Sequence, residues 1–208
     1  MPNTEIYLIR HGLPQYQLDS EGRKLMYGPE ANLSDEGRAQ ALSLSKKLPA
    51  LDVIYTSPYT RARETAEIIA RELGVTSVVE SGSLSDRYSI NWQGRLLQDV
   101  LEEKIESHPN DETVEEAYYR VTNGFRDILK KEKGKKVGVV FHGDPIRFIV
   151  WEHVEKGEPI KEFNPDLKSS NYPLQGEAWV FVFNEAGELI NYHLITRDDN
   201  QEPGVGKW

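Results

Sequence analysis

Arg10-His11-Gly12 directly follows the apolar run Ile6-Tyr7-Leu8-Ile9, so a guanidinium, an imidazole and a flexible glycine stand where a buried strand would run out into a loop. Two distant segments repeat the arrangement: Thr56-Ser57-Pro58-Tyr59-Thr60-Arg61 follows Val53-Ile54-Tyr55, and His142-Gly143-Asp144 follows Val137-Gly138-Val139-Val140-Phe141. A guanidinium offers an oxyanion a planar fork of parallel N–H donors. A strand-to-helix junction adds oriented backbone N–H groups. If the three ends converge, Arg10, His11, Arg61 and His142 surround one tetrahedral anion such as phosphate, and Gly12 and Gly143 bring backbone close to it. Convergence is what an open α/β sheet provides, because its ligands sit beyond the carboxyl ends of the strands.

The elements that must position these groups alternate in type. Glu5 to Arg10, Asp52 to Thr56, Thr76 to Glu80 and Lys136 to Phe141 read as short apolar strands. Between them run helical patterns. One is capped by Ser34, passes through Gln40, Ala41, Leu44 and Leu48, and stops at Pro49. A second has Ser57 as cap, Pro58 in the first position and Gly74 as closure after Leu73, which places Arg61 in the opening turn. The clearest is capped by Asp111 and repeats Val114, Ala117, Tyr118, Val121, Phe125, Ile128 and Leu129 at helical spacing before Gly134. Pro145 to His153 forms the last helix, and Glu177 to Thr196 a hairpin turning at Asn184-Glu185-Ala186-Gly187. Ser81 to Arg95 has no legible structure and is expected to lie over the site; Gly157 to Pro173 reads as irregular, and the tail after Arg197 as mobile. The pattern predicts a three-layer α/β/α sandwich with a mostly parallel central sheet and a C-terminal hairpin. Residues 1–208 form a single domain on this reading.

Composition narrows the partners. A net charge of −9 disfavours nucleic acid and anionic membrane surfaces. No run is long enough to span a bilayer, and the N-terminus lacks a secretory pattern, so a cytoplasmic location is expected. Zero cysteines exclude disulfides and thiol chemistry. His11 and His142 lack a second histidine or carboxylate at metal-ligand spacing, so neither a metal nor a cofactor is expected. His108, His153 and His193 read as surface or packing residues. Arg63 reads as structural, Trp92 as a packing residue at the pocket border, and Arg147, one turn after His142, as a brace through a carboxylate.

Arg10-His11-Gly12, Ser57-Pro58-Tyr59-Thr60-Arg61-Ala62-Arg63-Glu64-Thr65-Ala66 and His142-Gly143-Asp144-Pro145-Ile146-Arg147 together resemble the histidine phosphatase superfamily, also called phosphoglycerate mutase-like. Leu33-Ser34-Asp35-Glu36-Gly37-Arg38-Ala39-Gln40-Ala41 is similar to its Leu-Thr-x-x-Gly-x-x-Gln-Ala segment. Leu84-Ser85-Asp86 followed by Trp92-Gln93-Gly94 is similar to its Leu-x-Glu then Trp-Glu-Gly segment. The resemblance implies that His11 accepts a phosphoryl group from a small-molecule phosphate ester, that Arg10, Arg61 and His142 bind its oxygens, and that Asp86 is the acid. This chain departs from the pattern in having aspartate where the family usually has glutamate. It also has Pro14-Gln15-Tyr16-Gln17 where Thr-x-Trp-Asn is frequent, which makes Gln17 the candidate for a further phosphate contact.

Three readings stand side by side: a phosphomonoester hydrolase, a mutase that returns the phosphoryl group to a second substrate oxygen, and a noncatalytic phosphate-binding module. The site residues serve the first two equally; the resemblance favours hydrolysis, because little after Arg95 is similar to the long substrate-enclosing insertion of the cofactor-dependent phosphoglycerate mutases. Oligomeric state is open. Because no metal enters the scheme, turnover is expected to survive EDTA unchanged; abolition by the chelator, with restoration by a divalent ion, overturns it.

Overall fold

The computed structural model describes residues 2–156 and 172–197. Most of the irregular stretch expected from Gly157 to Pro173 and the tail expected after Arg197 lie outside the described residues. Six strands form one sheet: β1 (Thr4–Arg10), β2 (Val53–Thr56), β3 (Val78–Glu80), β4 (Lys136–Phe141), β5 (Ala178–Phe183) and β6 (Leu189–Ile195). Their order across the sheet is β3-β2-β4-β1-β5-β6. The first four run parallel, and β5 pairs antiparallel with β1 and with β6. The sandwich with its C-terminal hairpin is therefore present.

Alternation along the strands decides which helix covers which face. Ile6, Leu8, Val137, Val139 and Phe141 pack with α4 (Val114–Lys131) and α5 (Gly143–Val150). Tyr7, Ile9, Ile54 and Val140 pack on the other face with α1 (Asp35–Ser45) and α2 (Thr60–Leu73). A short α3 (Leu97–Leu101), a 3-10 turn at Gly82–Leu84 and a π-helical turn at Trp151–Glu155 complete the described elements. No described helix is long and apolar enough to cross a membrane.

Several helix starts differ from the sequence expectation. Ser57 does not cap α2; the helix begins at Thr60, its N-cap is Tyr59, and Pro58 lies outside it. The Ser57 hydroxyl is instead engaged with His142. Asp111 does not cap α4 either. Its carboxylate accepts from the His108 N–H, while Thr113 and Glu116 form a reciprocal capping box. The last helix starts two residues earlier than expected, at Gly143, and Arg147, expected to brace the site through a carboxylate, donates at 2.8 Å to Glu155 of the π-helical turn that follows the helix. Gly74 closes α2 in the left-handed conformation, as expected.

Parallel register levels three strand ends. β4 lies between β1 and β2, pairing Arg10 with Phe141 and Thr56 with Val140. The ladder continues one residue further on both sides, since the His11 N–H donates to Phe141 O and the Ser57 N–H to Val140 O, each at 3.0 Å. The residues that follow are then fixed by close packing. Gly12 lies against Gly37 of α1, where an added Cβ would stand 3.0 Å from the Gly37 Cα and collide with its carbonyl. Gly37 in turn abuts Leu13, whose carbonyl accepts from Ser34, the α1 N-cap.

Gly37→Ala is accordingly expected to cost about 1–3 kcal/mol, because the obstacle is backbone and cannot rotate away. That corresponds to a fall in Tm of roughly 2–10 °C. Gly82→Ala, where a Cβ meets nothing within 4 Å, should stay within about 0.5 kcal/mol. Equal Tm values for the two variants in a thermal melt would remove the close-approach argument.

Candidate active site

His11 is buried at the end of β1, and its tautomer is set by what surrounds it. Nδ1 lies 2.7 Å from the Gly12 carbonyl and donates to it, which leaves the Nε2 lone pair as an acceptor. That lone pair takes the Arg61 Nε–H at 3.1 Å. Arg61 Nη2 meets His142 Nδ1 at 3.3 Å, so the second ring also presents a lone pair toward the guanidinium. Its Nε2 then carries the proton and donates to Ser57 Oγ at 2.8 Å. The two rings stand edge to face, 5.1 Å between centroids. Arg61 can reach both because it enters in the first turn of α2, from the neighbouring strand end. Its remaining amino group donates to Gly28 O, and Tyr27 and Tyr59 flank its carbon at 4.8 and 5.1 Å.

Burial pushes the His11 imidazolium well below its ordinary range, with Arg61 and then Arg10 adding repulsion; the Gly12 carbonyl opposes the shift. His142 is lowered by burial first and Arg61 second. Both rings are therefore neutral near pH 7.

Arg10 shares the cavity with His11. It donates to Pro173 O at 2.8 Å and lies 5.1 Å from the Tyr172 ring centroid. Tyr172 OH donates to Asp144 Oδ1 at 2.9 Å, and its hydroxyl occupies the space a side chain at Gly143 would need. Asp86 stands at the mouth, its side chain 26% exposed, with Oδ2 3.8 Å from His142 Nδ1. Burial, and Asp144 second, raise its carboxyl to about 7 against the pull of Arg61 and Arg10. Its segment is clamped from behind: Arg120 of α4 donates to the Ser83 and Ser85 carbonyls, and Tyr59 OH donates to Asp86 O at 3.0 Å.

Arg10, His11, Arg61, Asp86 and His142 thus meet at one place. Gly143 opens α5 and lines the cavity beside them. Gly12 and Gln17 do not take the places expected of them. The Gly12 N–H donates to Thr65 Oγ1 at 3.1 Å, so this glycine ties the loop to α2 and turns no donor into the cavity. Gln17 is exposed and does not line the cavity; the neighbouring Tyr16 does, stacked edge to face on Tyr27 at 5.3 Å. Ser57, Tyr59, Asp144 and Tyr172 were not singled out as site residues from sequence. For Ser57 and Tyr59 a signal existed, since both sit in the segment that carries Arg61. Tyr172 carried none, because only the fold brings it to Arg10. Among the described residues no group of three or more histidines or acids is arranged to hold a metal ion.

Two segments roof the cavity as one unit. Met26 N donates to Arg95 O, Gly94 N to Met26 O, and Leu97 N to Lys24 O, at 2.7–2.9 Å.

The chain matches the model of the histidine phosphatase superfamily (branch 1) over residues 6–171. The chain belongs to this superfamily. The uncharacterized phosphatase PhoE of Bacillus subtilis is 30% identical over 159 residues, which covers 75% of this chain and 80% of that protein. A metal-independent phosphoserine phosphatase of Arabidopsis thaliana is 26% identical over 211 residues, covering 93% and 87%. Among solved structures, Bacillus stearothermophilus YhfR superposes with a TM-score of 0.72 at 20% identity, covering 95% of this chain and 98% of that one. Entamoeba histolytica phosphoserine phosphatase superposes at 0.68 and 19%, covering 94% and 98%. These superpositions place the fold, and the family match covers the three strand ends that build the site.

An oxyanion that fits this histidine phosphatase site stabilises the folded state by mass action, about 2.7 kcal/mol at a hundred times its Kd. Saturating inorganic phosphate or orthovanadate is expected to raise Tm by roughly 5–10 °C. Arg61→Ala should abolish the rise; a variant that retained it would place the anion elsewhere.

Proposed function

We propose that the protein is a phosphomonoester hydrolase of small phosphorylated metabolites, in which His11 carries the phosphoryl group. The observation that carries this reading is the Nε2 lone pair of a buried neutral imidazole facing Arg61, with an acid raised to about 7 at the same mouth. A neutral imidazole attacks phosphorus without first losing a proton. Phosphoryl oxygens compete with that lone pair for the Arg61 N–H groups, so the arriving substrate both binds the guanidinium and frees the nucleophile. Arg10, Arg61 and His142 carry the charge that develops on the equatorial oxygens.

In the first step the Nε2 pair forms the N–P bond as the ester P–O bond breaks, and the leaving oxygen takes the Asp86 proton. In the second, the Asp86 carboxylate takes a proton from water as its oxygen bonds phosphorus, and the N–P pair returns to Nε2. Inorganic phosphate and the alcohol leave. Gly143, at the N-terminus of α5, adds backbone polarity on the phosphate side. No added metal or organic cofactor enters either step. The same reading takes 1–208 as one domain in the cytoplasm, acting on small molecules and not on nucleic acid, consistent with the −9 charge and the absence of cysteine.

Purified protein with p-nitrophenyl phosphate should release phosphate, and His11→Ala should lower kcat at least about 10³-fold. Conversion of 3-phosphoglycerate to its isomer without phosphate release would identify a mutase; inertness across a broad ester panel would leave a binding module. Asp86→Asn should slow an alkyl phosphate about 10²-fold or more and an aryl phosphate much less, since an aryloxide needs little protonation. The pH dependence has a definite sign. Asp86 is raised, so its acid form is present below pH about 7 and lost above it, and kcat/KM for alkyl esters should fall on that alkaline side. His11 is lowered, so no acid limb from this imidazole is expected near 6.5. An alkaline limb that persists in Asp86→Asn would assign it to another group.

A further inference from the structure

The cavity is larger than a phosphoryl group and a short polar acid require. Its volume is about 580 Å³, well inside the roughly 300–1,000 Å³ of pockets that enclose a drug-sized ligand. Beyond Arg10 and His11 the wall changes character, for Met26, Trp92, Leu97, Val100, Leu101 and Ile105 line it. They come from the two segments that roof the site, from α3 and from the loop that follows it, and they line the same cavity as the phosphate end. The indole N–H of Trp92 donates to Ile105 O at 3.2 Å, which satisfies its one polar atom within the protein and leaves aromatic carbon for a ligand.

Charge along this wall points the same way. Arg87 is the one cation among the described lining residues besides Arg10, and its guanidinium carbon lies 5.7 Å from the Trp92 ring centroid, stacked on the indole. Glu103 and Glu106 stand exposed along the same wall. A second negative group on the substrate would meet these carboxylates, whereas an apolar ring would meet Trp92 and the aliphatic side chains. Asp86 lines the same cavity, 3.8 Å from His142 at the phosphate end, and Arg87 and Trp92, which also line it, follow in the chain. An alcohol oxygen protonated at Asp86 therefore carries its substituent onto this wall.

We propose that the wall formed by Trp92, Val100, Leu101 and Ile105 is the leaving-group subsite, and that it selects phosphate monoesters of apolar, ring-bearing alcohols over small carboxylated ones such as phosphoserine and 3-phosphoglycerate. The proposal rests on the phosphohistidine reading and adds the substrate class to it. Burial of a ring on this wall contributes in the ground state and in the transition state alike, so it lowers KM more than it raises kcat.

The test compares kcat/KM for 2-phenylethyl phosphate, ethyl phosphate and phosphoserine with the wild-type chain, with p-nitrophenyl phosphate and His11→Ala as the reference pair. At least a tenfold preference for 2-phenylethyl phosphate over both others, expressed mainly in KM, is expected. Val100→Asp should shrink that ratio toward one, and the wild-type comparison stands whether or not this variant folds. Release from p-nitrophenyl phosphate that depends on His11, together with equal or reversed preference in the ester panel, overturns the subsite and leaves the phosphatase reading standing. Absence of release dependent on His11 from every ester overturns both.

Discussion

Two imidazoles can share one guanidinium in a buried corner only while both rings are neutral, and the contacts of Arg61 to His11 and His142 meet that condition. Each ring turns a lone pair to Arg61 and gives its proton to the protein on the far side, His11 to the Gly12 carbonyl and His142 to Ser57. The arrangement is electrostatically costly for a proton and favourable for an anion. Protonating either ring would place a third cation beside Arg10 and Arg61 in a region from which water is largely excluded, where charges interact several times more strongly than in bulk solvent. A tetrahedral oxyanion removes the same difficulty by taking the guanidinium donors onto its oxygens.

That corner exists because the sheet levels three chain segments far apart in sequence. β4 inserts between β1 and β2, and the shared register puts the residues after Arg10, Thr56 and Phe141 side by side. Parallel strands with helices on both faces cover the sheet from the sides, and the cavity opens beyond the strand ends. Small residues then let the supporting layers close. Gly12 and Gly37 allow the loop after His11 to lie directly on α1, and Gly124 gives α4 room to press on Ser83 below the acid segment. Arg120 uses that proximity to hold the carbonyls of Ser83 and Ser85.

Above this rigid floor the walls have a different composition. Tyr16, Tyr27, Trp92 and Tyr172 supply aromatic surface, and the acid stands where the cationic floor meets it. The opposing influences on Asp86, raised by burial and Asp144 and lowered by Arg61 and Arg10, come from its position at this boundary. A carboxyl set fully into the cationic floor would ionise; one set out among solvent would return to its ordinary range.

Much of this was legible from residue order. Periodicity indicated the longer strands and helices, because a buried strand and an amphipathic helix impose different repeats on apolar residues, but not the short α3 or the 3-10 turn, which are too brief to repeat. The three clusters at strand ends singled out Arg10, His11, Arg61 and His142. Helix starts were less legible, because Ser57 and Asp111 have the chemistry of a cap and the choice between capping and another partner depends on neighbours distant in the chain. Ser57 is claimed by a histidine 85 residues away. The strand order, the tautomers of both rings, the substitution of Tyr16 for Gln17 at the wall and the arrival of Tyr172 over Arg10 were decided by tertiary structure alone. Local sequence states which groups are present; only the packing of distant segments sets how far apart they stand, how dry they are and which way each proton faces.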